Sequence, residues 1–478
     1  MTEQTSQDTA PFGLLGRKLG HSWSPQIHAR LGSVPYELHE LEPEELAGFV
    51  RGGSWRGLNV TIPYKREAAQ LADEVSERVL RLGVANTLVR RTDGTIYADN
   101  SDVLGFAWML ERFCERASSS PVLAVDTEFL RERTYRPRLC LIQLATSADD
   151  IAAVDPIAIR DLSPIARLFE DPSIVKILHA CSQDLEVIDG AMGCVPSPMF
   201  DTQLAAAFLG HRMQLGYGAL VESYTGVHLA KAESLTDWSR RPLDPEQLVY
   251  AEDDVRYLPG IYEQMRSELV GRDRLSMVLP EMQALLDPSH YRHDPMLAYQ
   301  HLKRVSSLTR RQLAVAREAC AWRERLAAKR DIPRKWVLSD EVLIEVCRRA
   351  PADEQRLRRI RGTEQLSESD SAALLHAISR GLSCPASNYP SVPRRSRPSG
   401  EQESVVDLMY AMLRIISERS GVATQLIATR DELLDFMSGE EGASLSQGWR
   451  YELAGRQLEG LLSGSCGLTV KDGRVEIL

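Results

Sequence analysis

The chain has 478 residues, 43% of them hydrophobic and 26% charged, with a formal net charge of -10. That length is too great for one core and predicts about three domains, while the composition excludes a disordered chain. The charge argues against a generic polyanion binder, and no apolar run approaches the roughly 18 residues of a membrane span.

The opening stretch, MTEQTSQDTAPFG, lacks the basic and apolar regions of a signal peptide. The expected location is therefore the cytoplasm, with no membrane association. The eight cysteines (114, 140, 181, 194, 320, 347, 384 and 466) include no CxxC pair. Reduced and mostly buried thiols are expected, rather than a zinc site or a disulfide framework.

From about Phe12 to Phe106, short apolar runs alternate with turn residues. Helices are predicted at Ser24 to Leu31, Pro43 to Val50 and Lys65 to Leu71. "TDGT" reads as the turn of a hairpin between "NTLVR" and "IYADN". This is a small α/β domain, 10–108. A helix, "FAWMLERFCERASSS", leads out of it.

In 110–290, "VLAVDTEF", "RLCLIQLA" and "PSIVKILHAC" read as strands. Helices follow, among them "SQDLEVIDGAM", "DTQLAAAFLG" and one long pattern, "DPEQLVYAEDDVRYLPGIYEQMRSEL". A mixed sheet flanked by helices is expected. Residues 305–385 read as helical only, with Pro333 and Pro351 as breakers. The Pro-, Ser- and Arg-rich stretch 386–400 is a linker. Residues 401–478 read as a second helical module, a candidate distant copy of the first, ending in a hairpin-like "GLTVKDGRVEIL". Between 301 and 361 there are 17 Lys or Arg against 8 Asp or Glu, either a phosphate-facing surface or a solvated helix face.

The chemistry starts at "PVLAVDTEFL". On a strand, Asp126 and Glu128 point to one face. Asp184 opens a helix just past another strand. Tyr250 and Asp254 stand four apart on a helix and share its side. If these four carboxylates converge, each pair about 4 Å apart costs roughly 4 kcal/mol at an effective dielectric near 20. Several pairs approach the whole stability of a domain, about 5–15 kcal/mol. Hard divalent cations, Mg2+ or Mn2+, relieve the conflict and suit in-line phosphoryl chemistry in pairs. Tyr250 would orient an attacking water, or be a packed helix aromatic. Asp201 reads as a helix N-cap, His179 as a satisfied core histidine, and Asp189 and Asp253 as surface charges. Arg131 and Arg133 are either backbone contacts or ion-pair partners. Trp322 and Trp336 read as core residues before stacking platforms for bases.

"DTE", "HACSQDLEVI" and "YAEDD", in this order, resemble the three motifs of the DEDD exonuclease superfamily, in its tyrosine-bearing branch. The flanking text "AVDTEFLRERTYRPRLCLIQLA" and "SLTDWSRRPLDPEQLVYAEDDVRYL" resembles the ribonuclease D family, over about residues 110 to 478. The resemblance implies a ribonuclease H-like α/β exonuclease domain with a mixed sheet, followed by all-α HRDC-type modules. It implies a 3'-5' exoribonuclease that releases 5'-mononucleotides, typically from transfer-RNA precursors. Asp126, Glu128, Asp184 and Asp254 would hold two Mg2+ ions, and Tyr250 would position the water.

The first hundred residues resemble a different family. "GLLGRKLGHSWSPQIH", "GLNVTIPYK", "GVANT" and "ADNSDVLGF" are similar to the substrate-binding domain of shikimate dehydrogenase. That implies carboxylate binding by Ser22 and Ser24 and hydroxyl binding by Asn59, Thr61, Asn86 and Asp102, with Lys65 and Asp102 as a proton-transfer pair. Ala98 and Ser101 depart from that family's usual Gly and Thr. A Gly-rich dinucleotide loop does not follow, so no NADP site is expected. The domain is then a retained module for a shikimate-like ligand, an inert remnant, or half of an enzyme completed by another chain.

Overall fold

The computed structural model describes residues 11–32, 35–229, 236–391 and 398–478. Most of the polar opening stretch and the middle of the expected linker, 392–397, lie outside the described residues. The chain forms two compact units, one to Glu115 with Ile157–Asp161, the other Arg116–Pro156 with Leu162–Leu478.

The first unit is built of β1 (Phe12–Gly16), α1 (Ser24–Leu31), β2 (Tyr36–Glu40), α2 (Pro43–Gly52), β3 (Gly57–Val60), α3 (Lys65–Leu71), β4 (Glu74–Val75), α4 (Glu77–Leu82), β5 (Thr87–Arg90) and β6 (Ile96–Asp99). A further helix, α5 (Ser101–Ala117), runs to its boundary. The strands form one sheet in the order β2-β1-β3-β5-β6-β4. The three predicted helices are present, and β5 and β6 form the antiparallel hairpin, with Gly94 at φ +87° in its turn. Leu15, Trp55, Leu58 and Leu88 are fully buried at its centre.

The second unit begins with β7 (Val122–Leu130), β8 (Arg138–Ser147) and β9 (Asp150–Val154), an antiparallel meander. After α6 (Ser163–Glu170), β10 (Val175–Leu178) joins parallel to β7. Then come α7 (Ser182–Met192), β11 (Met199–Asp201), α8 (Thr202–Phe208) and α9 (Tyr217–Thr225). The sheet is mixed, in the order β11-β10-β7-β8-β9. The short strands β9 and β11 carry no sequence signal that would mark them out.

The expected single long helix is two, α10 (Pro245–Arg256) and α11 (Leu258–Gly271), followed by α12 (Leu275–Leu285). Pro259 ends the first: it has no N–H to give, and its ring opposes the carbonyl four residues back. The start of α10 is fixed by Pro245 and by a capping box between Asp244 and Gln247.

Two helical modules follow. The first has α13 (Arg310–Arg330), α14 (Arg334–Val337), α15 (Asp340–Arg349), α16 (Glu354–Leu357) and α17 (Glu368–Leu382). The second has α18 (Gly400–Ser420), α19 (Thr424–Ile427), α20 (Arg430–Met437), α21 (Gly448–Arg450) and α22 (Arg456–Ser463), then a hairpin of β12 (Leu468–Lys471) and β13 (Arg474–Ile477). Their openings correspond at a constant offset of 90 positions. Capping boxes start at Thr309 and Ser399, left-handed C-caps fall at Asp331 and Gly421, and N-caps fall at Ser339 and Thr429. The first module has its own core around Leu313, Cys320, Leu343 and Leu374. The second shares one core with helices of the exonuclease region: Met409, Met412 and Leu413 belong to the same cluster as Phe208, Met265 and Leu269. Glu281 clamps this junction by accepting from Arg450 and from the Trp449 indole, at 2.6 and 2.9 Å.

Candidate active site

Asp126 and Glu128 lie on one face of β7, with a β-bulge immediately after Glu128. The pairing of β10 with β7 stops at Ala124. The start of α7 continues from the end of β10 and brings in Asp184, which is 8% exposed. Asp201 fixes that start. One of its oxygens caps α8 through Leu204 N and the other accepts from Cys181 N at 2.9 Å, so the N-cap reading holds. From the other side, α10 packs over β7, β8 and β9 and carries Tyr250 and Asp254.

Asp126, Glu128 and Asp254 place one oxygen each within 4.8 Å of one another. Asp184 acts electrostatically on Asp126, Glu128 and Asp254, so the four carboxylates form one cluster. Burial, then the other carboxylates, pushes Asp126 far above the usual range and Glu128 up to about 8. Burial first of all raises Asp254 to about 7, against the easing effect of the Tyr250 hydroxyl. Asp184 rises to about 6, chiefly by burial, although Thr127 Oγ1 donates to it at 2.5 Å. No basic side chain is among the main influences on any of the four. An all-oxygen, buried and uncompensated set of this kind fits a hard divalent cation.

Tyr250 leans on the fully buried Trp238, ring centroids 6.1 Å apart. Burial and the carboxylates at Asp254, Glu128 and Asp126 raise its phenol, so it stays protonated and donates. Two neighbours escape a reading of the sequence. Thr127, between the two acids of "DTE", braces Asp184 from the opposite face of β7. Tyr217 donates to the carbonyl of Asp253 at 2.8 Å and so ties α9 to the turn of α10 that bears Asp254. An i, i+2 reading of "DTE" assigns Thr127 to the other face and so passes over it; Tyr217 is brought in only by tertiary packing.

His179 is a satisfied core residue, with Thr202 Oγ1 and the Leu215 carbonyl each 2.9 Å from its ring nitrogens. Arg131 is engaged by Glu186 at 2.6 Å. Asp189 is not a plain surface charge: its side chain is 12% exposed and grips Arg292. Asp253 is paired with Arg256. Trp322 is core, but Trp336, expected there too, is 52% exposed on the short helix α14 between Lys335 and Val337. Ion pairs absorb much of the basic stretch, including Arg323 with Asp340, Arg330 with Asp370 and Arg349 with Glu345.

In the first unit, Lys65 Nζ and Asp102 Oδ2 are 2.7 Å apart. Asn59 Oδ1 accepts from the Tyr36 hydroxyl at 2.8 Å, and Tyr36, raised to about 12 by burial, is also approached by Ser24. The Ser22 hydroxyl accepts from Ser24 N. Asn86 exchanges hydrogen bonds with Ser101. Thr61 takes part through its backbone, receiving Tyr64 N and donating to the Leu15 carbonyl.

A carboxylate cluster at the end of a mixed sheet, capped by a helix bearing a tyrosine one turn before an aspartate, defines a class: the divalent-metal-dependent 3'-5' exonucleases. Residues 108–270 match the 3'-5' exonuclease family, and residues 312–378 match the HRDC domain. Ribonuclease D of Granulibacter bethesdensis is 39% identical over 375 residues, 77% of this chain and 94% of that one. Ribonuclease D of Acidiphilium cryptum is 38% identical over 377 residues, 77% and 95% of the two chains. The crystal structure of Escherichia coli RNase D superposes with a TM-score of 0.66 at 33% identity, covering 74% of this chain and 96% of that one. The chain belongs to the ribonuclease D family and is a 3'-5' exoribonuclease. Its N-terminal residues 14–88 match the shikimate dehydrogenase substrate binding domain. Among the described residues no helix is long and apolar enough to cross a membrane.

Proposed function

We propose that Asp126, Glu128, Asp184 and Asp254 hold two Mg2+ ions, with Mn2+ as the alternative, and that the chain releases 5'-mononucleotides from RNA 3' ends. The observation that carries this is the approach of three half-buried carboxylates to within 4.8 Å, with a buried fourth, Asp184, acting on them electrostatically. When bound, the ions would supply charge stabilisation to the attacking water oxygen and to the leaving ester oxygen of the phosphodiester. The protein's share is to hold the four carboxylates close together and fixed; on its own it favours their protonated forms, so the ions themselves would keep them ionised. Tyr250, a protonated phenol beside Asp254, orients the attacking water by hydrogen bonding rather than as a base.

The E. coli relative is described as an exoribonuclease involved in structured RNA processing. Transfer-RNA precursors with 3' extensions are the substrate proposed for this chain, in the cytoplasm. Residues 305–385 and 401–478 are read as two copies of one helical module, on the 90-residue correspondence of their caps. Incubation with a 3'-extended transfer-RNA precursor, with and without Mg2+, tests the substrate. Shortening to a mature 3' end only with Mg2+ supports it; unchanged precursor alongside degraded unstructured RNA refutes it.

A second reading concerns the first unit. The Lys65–Asp102 pair and the Ser24–Tyr36–Asn59 contacts support binding of a shikimate-like polyhydroxy acid without hydride transfer. Titration of the full chain with shikimate, followed by heteronuclear NMR, would show saturable shifts at these residues; none at millimolar ligand would refute it.

A further inference from the structure

Gln143 is wholly buried, and neither its Oε1 nor its Nε2 has a hydrogen-bond partner in the protein. Among the described residues, of the buried side chains with unpaired polar atoms, it is the one with two such atoms. A buried amide in that condition is destabilising, and leucine or methionine would fill the same volume without the penalty.

Its position gives the amide a use. Gln143 stands on β8 directly opposite Asp126 on β7. Opposed residues of an antiparallel pair share a face, with Cβ atoms about 4.5–5.5 Å apart. Its other cross-strand neighbour is Ala153 on β9. Along β8 the same face carries Leu141 and Ala145, two residues away on either side. Three sides of the amide are therefore apolar and the fourth is Asp126. The helix α10, which brings Tyr250 and Asp254, lies over these strands and closes the space.

We propose that Gln143 is a positioning residue for Asp126. In the cation-bound protein its amide N–H, unpaired in this structure, donates to one oxygen of the ionised carboxylate and fixes the rotation of that group, so that the other oxygen is presented to the cation. This rests on the reading of the cluster as a metal site. The effect is exerted through Asp126; Gln143 itself touches neither ion nor RNA. No basic side chain orients the Asp126 carboxylate; the Thr127 backbone N–H is the hydrogen-bond donor named among its main influences, which is why a second uncharged donor at this place matters.

The test uses full-length protein with Gln143→Met, which keeps the bulk and removes the amide, and Gln143→Asn, which keeps the amide on a shorter arm. Mn2+ affinity is measured by calorimetry, Tm is measured in EDTA, and kcat and KM are measured on a short RNA. Gln143→Met is expected to melt at the wild-type temperature or higher in EDTA, yet to bind Mn2+ about tenfold more weakly. Its kcat should fall with KM unchanged. Gln143→Asn should show a smaller loss of affinity in the same direction. Wild-type Mn2+ affinity and kcat in both variants would overturn the proposal, as would a lowered Tm in EDTA with affinity unchanged, the signature of a purely structural amide. Asp126→Asn is the control for the underlying reading. If that variant binds Mn2+ as wild type does, the metal site itself is wrong; if it loses binding while Gln143→Met keeps it, only the role of Gln143 is wrong.

Discussion

The two polar clusters of this molecule differ in one physical respect. In the first unit the groups satisfy one another: Lys65 faces Asp102, Tyr36 donates to Asn59, and Asn86 exchanges bonds with Ser101. In the second, four carboxylates face each other without a basic side chain among their main influences. A self-satisfied cluster is stable with or without a ligand, so its geometry alone says little about whether a ligand is used. A frustrated cluster is tolerable only if a cation joins it or its carboxylates take up protons. The difference explains why the exonuclease site can be read from its energetics, whereas the N-terminal site rests on its resemblance and on particular contacts.

The contrast can be broken most forcefully at Asp126. Asp126→Asn should lower RNA degradation by about a thousandfold or more, the kinetic equivalent of about 4 kcal/mol of lost charge stabilisation. The same change should leave the fold intact, since it removes one of the repelling charges; far-UV circular dichroism and Tm in EDTA check this. Tyr250→Phe should slow the reaction by about tenfold to a hundredfold, less than loss of a metal ligand, because only the orientation of the water is affected. Single-turnover rates at saturating Mg2+ would show it.

The exposed Trp336 extends the comparison to RNA binding. If the first helical module contacts RNA, Trp336→Ala should weaken binding by about tenfold, the value of one stacked base, with kcat little changed. Fluorescence anisotropy in EDTA measures binding apart from cleavage.

The pH dependence sharpens the contrast further. Glu128 at about 8, Asp254 at about 7 and Asp184 at about 6 all lie above the usual carboxylate range near 4. The folded chain therefore holds more protons than the unfolded one between about pH 4 and 8. The stability these groups contribute is present at low pH and is lost as pH rises through 6 to 8. In EDTA, Tm should fall by about 5 °C between pH 5.5 and 8, and saturating Mg2+ should remove most of the fall. Lys65→Met in the first unit should do far less. Its pair is a third to nearly half exposed, so the loss should be below about 1 kcal/mol, with RNA degradation unchanged.

Short-range patterns in the sequence carry much of this arrangement. Strand alternation puts Asp126 and Glu128 on one face, and helical spacing puts Tyr250 and Asp254 on one side; both are local geometry, and both are observed. The hairpin at Asp93 and Gly94 follows from turn chemistry alone. What local pattern does not carry is register and packing. Gln143 in "LCLIQLA" reads as one polar residue in a strand until pairing sets it opposite Asp126. Thr127 stays hidden because its partner is 57 positions away, at the start of another helix. The indole of Trp336 suggests a core position, but a helix of four residues has little surface to bury it against. The break before α11 leaves no mark in the periodicity, because the apolar spacing continues on both sides of Tyr257 and Pro259.

The most direct measurement is a time course on a 5'-labelled RNA with full-length wild type and Asp126→Asn, in Mg2+ and in EDTA. Stepwise shortening from the 3' end by wild type in Mg2+ alone, and by neither protein otherwise, is the expected result. Trimming by Asp126→Asn at the wild-type rate, or by wild type in EDTA, would contradict it.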